Sequence, residues 1–344
     1  VRRRIVDRGT QVRDELGRRV ALGRSIASRV VHHPANRHRP RRALARAMWW
    51  QARKRVWPRP VDVDFEGFTL RCHPDSQSAS NVWYFTPRFD PVEMTFLDRY
   101  LRPGDHVLDI GANIGTYTLF AAARVAPGGR ITAFEPEPRN AGRLRENVAI
   151  NHLEGRVDVH AVAVADRPGT VAFLADRDVS NGLAASDDPR GETIEVPAVR
   201  LDDVVEAHPG LAVAKLDVEG AEGLALDGAR NLLAAGRPAV WITEVIATQL
   251  RWFGTTTDDL VEQFAAHGYE PCSIDPVDGG LRWRAPVVKG NVFFVARSAA
   301  AEVEARLQER PQVDAFRRDG QAGRSGGPQP PRPRRRLPQL RRRR

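Results

Sequence analysis

Between residues 60 and 300 the apolar positions change period repeatedly. His106–Ile110, Arg130–Phe134 and Leu211–Val218 are short, nearly continuous apolar runs, the pattern of strands buried on both faces. Stretches with helical spacing lie between them. Pro91–Leu101 places Val92, Phe96, Leu97 and Tyr100 on one side, and Asn140–Asn151 has Leu144 and Val148 four apart. Thr116–Val125, Glu222–Ala234 and Thr257–His267 are further predicted helices. Val61–Cys72 predicts a hairpin turning at Glu66-Gly67. Val157–Ala165 alternates as one strand, with Thr170–Leu174 predicted to pair with it across Arg167-Pro168-Gly169. Thr193–Val199, Ala239–Val245, Tyr269–Ile274 and Asn291–Ala296 complete the strands. Such alternation predicts an α/β fold, a doubly wound, mostly parallel sheet with helices on both faces. Its ligand is then expected beyond the carboxyl ends of the strands.

The ends follow different rules. Residues 1–60 read as a basic, partly helical arm, 61–300 as the α/β domain, and 301–344 as a helix followed by a basic disordered tail. In the arm, amphipathic stretches are predicted near Val12–Val30 and Ala43–Trp57. The cluster Met48-Trp49-Trp50 suits docking on the body or contact with a membrane interface.

The formal net charge of +10 conceals this division. Residues 1–60 hold 17 Arg, one Lys and three acids, residues 321–344 hold nine Arg and no acid, and the body between them carries −14. Basic arms suit an anionic membrane or nucleic acid as partner, and equally a plain solubilising role. The acidic body argues against a catalytic face built for a polyphosphate backbone. Cys72 and Cys272 match no metal-ligand spacing and no disulfide framework. No apolar run approaches a membrane span, and the basic N-terminus lacks the apolar core of a secretion signal, so a cytoplasmic location is expected.

The first core strand ends in Asp109 and turns through Gly111-Ala112-Asn113-Ile114-Gly115 into a helix. Glycines there permit a sharp turn and close backbone approach, and the helix start offers free N–H groups. The second strand ends in Glu135, where a carboxylate can accept from both ribose hydroxyls. The loop lacks the G-x-G-x-x-G spacing of a dinucleotide site, and no lysine follows as in a phosphate-cradling loop. The amino and carboxylate groups of a methionine moiety need less room. Asp109, Gly111, Asn113, Gly115 and Glu135 are therefore expected to hold S-adenosylmethionine, with an ordinary strand–helix turn as the alternative for the glycine pair. Asp166, placed at the end of the third core strand, is expected to accept from the adenine amino group, with a turn role as the alternative.

The run Val107-Leu108-Asp109-Ile110-Gly111-Ala112-Asn113-Ile114-Gly115-Thr116-Tyr117-Thr118 resembles the first motif of the FkbM methyltransferases. In order follow Ala133-Phe134-Glu135-Pro136, Glu146-Asn147 with Asn151, Ala163-Val164-Ala165-Asp166, Leu201-Asp202-Asp203, Lys215 to Glu222 (KLDVEGAE), Thr243-Glu244 and Asn291-Val292-Phe293-Phe294. The resemblance spans roughly Glu93 to Val295. It implies a class I, Rossmann-like methyltransferase fold and transfer to oxygen.

An alcohol acceptor must be aligned and must lose its proton. Asp217, Glu219 and Glu222 crowd the end of the fourth strand, with Lys215 two residues before Asp217; Glu244 ends the fifth. Mutual repulsion would raise a carboxyl towards base-competent values, making Asp217, Glu219 and Glu244 the candidate catalytic residues. Asp217 and Glu219 could instead bind Mg²⁺, or Lys215 could simply neutralise Asp217 while Glu222 caps the helix. The resemblance favours function for Asp217 and Glu219. The expected acceptor is a small molecule, sugar or glycan, or polyketide hydroxyl, with specificity in the loops Asp75–Asp90 and Asp176–Gly191. The alternatives are a nucleic-acid or protein methyltransferase anchored by the arms, and a non-catalytic cofactor-binding scaffold. The chain has no Asn/Asp-Pro-Pro-aromatic tetrapeptide, the usual mark of exocyclic-amine methylation.

Overall fold

Strand β3 (His106–Ile110) is the pivot of the chain's main sheet. In the computed structural model, the described residues are 24–85, 88–174, 183, 193–275 and 280–309. All lie in the unit Val1–Pro311; the unit Gln312–Arg344 is outside them, as are residues 1–23 and most of Asp176–Gly191, including Ser180-Asn181-Gly182.

The chain enters through helix α1 (Pro40–Val56), the hairpin β1 (Val61–Phe65) and β2 (Phe68–Cys72), then α2 (Gln77–Phe85) and α3 (Pro91–Tyr100). After β3 come α4 (Thr116–Val125), β4 (Arg130–Phe134), α5 (Pro138–Ile150) and β5 (Val157–His160). A side layer follows: β6 (Ala163–Val164), β7 (Gly169–Leu174) and β8 (Thr193–Val199). The second half runs α6 (Leu201–Val204), β9 (Leu211–Leu216), α7 (Glu222–Asp227), α8 (Arg230–Ala234) and β10 (Val240–Val245). Then come α9 (Ala247–Leu250), α10 (Thr257–Ala266), β11 (Tyr269–Ile274), β12 (Leu281–Trp283), β13 (Gly290–Ala296) and α11 (Ala300–Gln308).

The main sheet has eight strands in the order β12-β11-β13-β10-β9-β3-β4-β5. Strands β5, β4, β3, β9 and β10 are parallel, while β13, β11 and β12 add antiparallel pairs at one edge. This is the doubly wound α/β architecture expected of a class I methyltransferase. The chain builds outward from β3 through β4 to β5, then crosses to β9 on the other side. The crevice at such a reversal of direction is where open α/β sheets bind ligands. All six residues of β9 are buried, as its continuous apolar run requires. Behind β10, Phe264 of α10 stacks on Phe294 of β13 at 3.9 Å between ring centroids, with Trp241 and Tyr269 edge-on to it.

Three local expectations differ. Val157–Ala165 is not one strand: β5 joins the main sheet, and β6 leaves it to pair with β8. β7 pairs with β8, not with β5. The helix expected over Glu222–Ala234 breaks at Gly228, where a Cβ would lie 2.1 Å from the Ala165 carbonyl oxygen. In the arm, Ala43, Ala47 and Trp50 are buried against the body, and the Trp50 indole donates to Ser80 Oγ at 2.9 Å.

Candidate active site

Register alone sets one row of polar residues across the carboxyl end of the sheet. Asp109 of β3 lies opposite Lys215 of β9, and Glu244 of β10 opposite Asn291 of β13. Beyond these strand ends opens a cavity of about 290 Å³. Asp109, Gly111, Asn113, Glu135, Asp217, Glu219 and Glu244 all line it, as do Lys215 and Asn291.

The expected nucleoside wall is built as follows. Gly111 and Asn113 take left-handed backbone conformations, φ 87° and 51°. A Cβ on Gly111 would sit 1.8 Å from the Asp217 carbonyl oxygen, so this glycine lets β3 and β9 end side by side. Glu135 is buried. It accepts from the Asn113 amide at 2.8 Å and the Glu137 amide at 2.9 Å. Burial raises its pKa to about 8 against those two hydrogen bonds. Each of its oxygens keeps lone-pair capacity for a hydroxyl donor. Asp109 is fully enclosed and accepts from Thr118 Oγ at 2.5 Å; burial lifts it to about 6. Val162, Val164, Phe173 and Leu183 add an apolar wall suited to a flat base.

Two expected cofactor residues stand elsewhere. Gly115 does not line the cavity; it starts α4 at φ 90°, where a Cβ would lie 2.5 Å from Leu144 Cδ1. Asp166 does not line it either. The third core strand ends at His160, so Asp166 follows the side-layer strand β6, and its charge acts on Arg230. The misreading of β5 and β6 as one strand put it at the wrong strand end.

Asp217, Glu219 and Glu244, which line the same cavity, bring carboxylate oxygens within 4.8 Å of one another. Asp217 and Glu219 do not share one extended strand: β9 stops at Leu216, and Glu219 takes φ 55° in the turn that follows. Glu222 Oε1 pins this turn by accepting from the amides of Val218 at 3.2 Å and Gly220 at 3.1 Å. Lys215 is buried, donating to Asp217 Oδ2 and to Asn291 Oδ1, each at 3.0 Å. Its neighbours' negative charge outweighs the burial that opposes it and raises its pKa, so it stays an ammonium. Burial raises Glu219 to about 8, with repulsion from Asp217 adding to it, and the same causes raise Glu244. Gln249 donates to Glu219.

Sequence reasoning assigned no role to Asp90 or Tyr117. Tyr117 Oη donates to Asp90 Oδ2 at 2.7 Å, and both line the cavity beside Lys215. Burial raises both pKa values. Asp90 precedes Pro91, so in sequence it reads only as the start of α3. Ser78 and Asn81 complete this wall from α2, a helix formed within the segment read as the loop Asp75–Asp90.

Residues 109–271 match the sequence model of the methyltransferase FkbM domain. The 31-O-demethyl-FK506 methyltransferase FkbM of Streptomyces tacrolimicus is 32% identical over 204 residues, covering 49% of this chain and 74% of that protein. Among solved structures, methyltransferase FkbM from Methylobacillus flagellatus KT is 16% identical with a TM-score of 0.36, over 74% of this chain and 59% of that one. This chain thus spans under two thirds of that solved chain. Fibrillarin from Aeropyrum pernix, solved with S-adenosyl-L-methionine, is 15% identical with a TM-score of 0.32, over 56% of this chain and 67% of that one.

Proposed function

This chain belongs to the FkbM family of S-adenosylmethionine-dependent methyltransferases, and from that premise we propose that it methylates a hydroxyl oxygen of a small-molecule, sugar or glycan, or polyketide acceptor. The observation that carries the proposal is the meeting of Asp217, Glu219 and Glu244 in the same cavity that Glu135 lines. The Streptomyces relative is named for an O-demethyl compound, which supports oxygen as the acceptor atom.

Bound S-adenosylmethionine supplies a sulfonium-activated methyl group, so the protein's work is alignment and proton removal. Glu135 takes the ribose hydroxyls, and the loop Gly111–Asn113 with Asp109 takes the methionine end. The cavity's carboxylates favour a cationic ligand through their field. Tyr117, Asn81 and Asn291 offer hydrogen bonds to orient the acceptor hydroxyl. The Asp217–Glu219–Glu244 cluster receives its proton. A raised carboxyl suits that task, because a base works best with a pKa near the operating pH. Lys215 keeps part of the cluster's charge neutralised and fixes Asp217 in place.

A second role for the cluster, holding Mg²⁺ through Asp217 and Glu219, is favoured by the 4.8 Å grouping of carboxylate oxygens. Chelation separates the two. Turnover that survives EDTA supports the proton-acceptor role; turnover lost to EDTA and restored by Mg²⁺ supports the metal. The part played by Asp217 is tested by Asp217→Asn. This variant should keep its affinity for S-adenosylmethionine and lose turnover by roughly 10²–10⁴-fold. Undiminished turnover removes Asp217 from the reaction.

A further inference from the structure

Helix α1 has two opposed faces: one packs inward, and the other stays exposed among the described residues, with Trp49 alone leaning on the Trp83 ring at 5.0 Å. Ala43, Ala47 and Trp50 pack inward on α2. The outward side carries Arg41, Arg42, Ala45, Met48, Trp49, Ala52, Arg55 and Val56, all exposed. Met48 is 63% exposed, Trp49 49%, Val56 84%, and Trp57, just past the helix end, 56%. These are half of the large apolar residues left exposed among the described residues. Trp49 and Val56 are seven residues apart and therefore share a face.

The charge around this face has one sign. From Glu15 to Asp62 the chain contains 12 Arg and one Lys between those two acids, and no further acid. The Trp57 ring lies between the guanidinium groups of Arg53, at 5.6 Å, and Arg59, at 5.7 Å. No helix is long and apolar enough to cross a membrane among the described residues. An apolar stripe with tryptophans and flanking arginines is the composition of a helix lying in a bilayer interface. Tryptophan sits at the headgroup level, and arginines pair with anionic headgroups.

We propose that the outward face of α1, Met48, Trp49, Val56 and Trp57 framed by Arg41, Arg42, Arg55 and Arg59, docks the protein on an anionic phospholipid surface. The aliphatic Met48 and Val56 favour lipid over nucleic acid, for which only the rings could stack. Docking there bears directly on the cavity. Trp50 bonds to Ser80 of α2, and the same helix carries Ser78 and Asn81 into the cavity wall. A hydroxyl on a membrane-bound acceptor would meet that wall.

Flotation of the full chain with vesicles tests this. It should float with phosphatidylglycerol–phosphatidylcholine vesicles and stay at the bottom with phosphatidylcholine alone. Tryptophan emission should shift to the blue on the anionic vesicles. The pair W49S/W57S, and separately R41E/R42E, should each lower the bound fraction at least tenfold while keeping S-adenosylmethionine affinity. Failure to float, or flotation that neither pair weakens, overturns the proposal, the latter by assigning binding to other arginines. So does tighter binding to an oligonucleotide that both pairs abolish, or a dimer in solution that W49S/W57S dissolves.

Discussion

Glu135 is a carboxyl whose environment opposes its charge, because two amide hydrogen bonds only partly offset burial. A ligand that donates two hydroxyls and brings a positive charge stabilises the ionised form. Glu135→Ala should therefore weaken S-adenosylmethionine binding by roughly 10–100-fold, the scale of hydrogen bonds to a charged acceptor. Calorimetry reads it directly, and unchanged affinity removes the ribose assignment. Glu135 and Glu219 are each raised to about 8, which favours their protonated forms at pH 7. A cationic ligand lowers both, so binding should release protons near pH 7. Binding enthalpy measured in buffers of different ionisation heat should vary with the buffer; invariance contradicts the assignment. Residue identities were readable in sequence where a strand end fixed them. Asp109, Glu135 and Glu244 follow from strand ends that patterning places within a residue, and Asp217 from one that it runs two residues too far. Asp166 reads in sequence as the end of the third core strand because alternation continues through Val162 while the chain changes sheets. Asp90 and Tyr117 were invisible because their bond joins residues 27 apart, which no local pattern encodes.

At the scale of elements, asparagines hold the N-terminal hairpin to the nucleoside loop. Asn147 of α5 accepts from the Arg71 amide at 2.8 Å and donates to the Ile114 carbonyl at 2.9 Å. Asn151, one turn on, accepts from the Thr69 amide at 2.8 Å and donates to the Thr69 carbonyl at 2.7 Å. The pair extends the edge of β2 as another strand would. Asn147→Ala leaves one buried and one half-buried backbone group unpaired and should cost about 2–4 kcal/mol, read from urea unfolding. A cost near zero would mean that water replaces both bonds. The sequence motif placed Asn147 and Asn151 on a helix with the right spacing. Their partners belong to β2, which is distant in sequence, so their role waited for the fold. The helical period similarly identified Ala43–Trp57, yet only the packing distinguishes buried Trp50 from exposed Trp49.

The whole molecule folds with several enclosed carboxyls whose pKa values burial raises: Asp109 to about 6, Glu222 to about 7, Glu135 and Glu219 to about 8. Because folding raises these values, the folded state binds more protons than the unfolded chain between the ordinary carboxyl range and about pH 8. Stability should then fall as pH rises through that window, by about 1 kcal/mol per pH unit for each carboxyl still holding its proton. The melting temperature of the ligand-free protein should be higher at pH 6 than at pH 8.5, and saturating S-adenosylmethionine should narrow the difference. A melting temperature that does not change between pH 6 and 8.5, or that rises, would contradict the raised values.

The direct test of methyl transfer to oxygen uses S-adenosylmethionine carrying a ¹³C-methyl group. The purified protein is incubated with the small-molecule and glycan fraction of cells lacking it, and the product methyl carbon is located by heteronuclear NMR. Transfer to a hydroxyl places the new signal in the O-methyl region, and Asp217→Asn strongly reduces it. A labelled methyl in the N-methyl or C-methyl region, from active protein, contradicts the account.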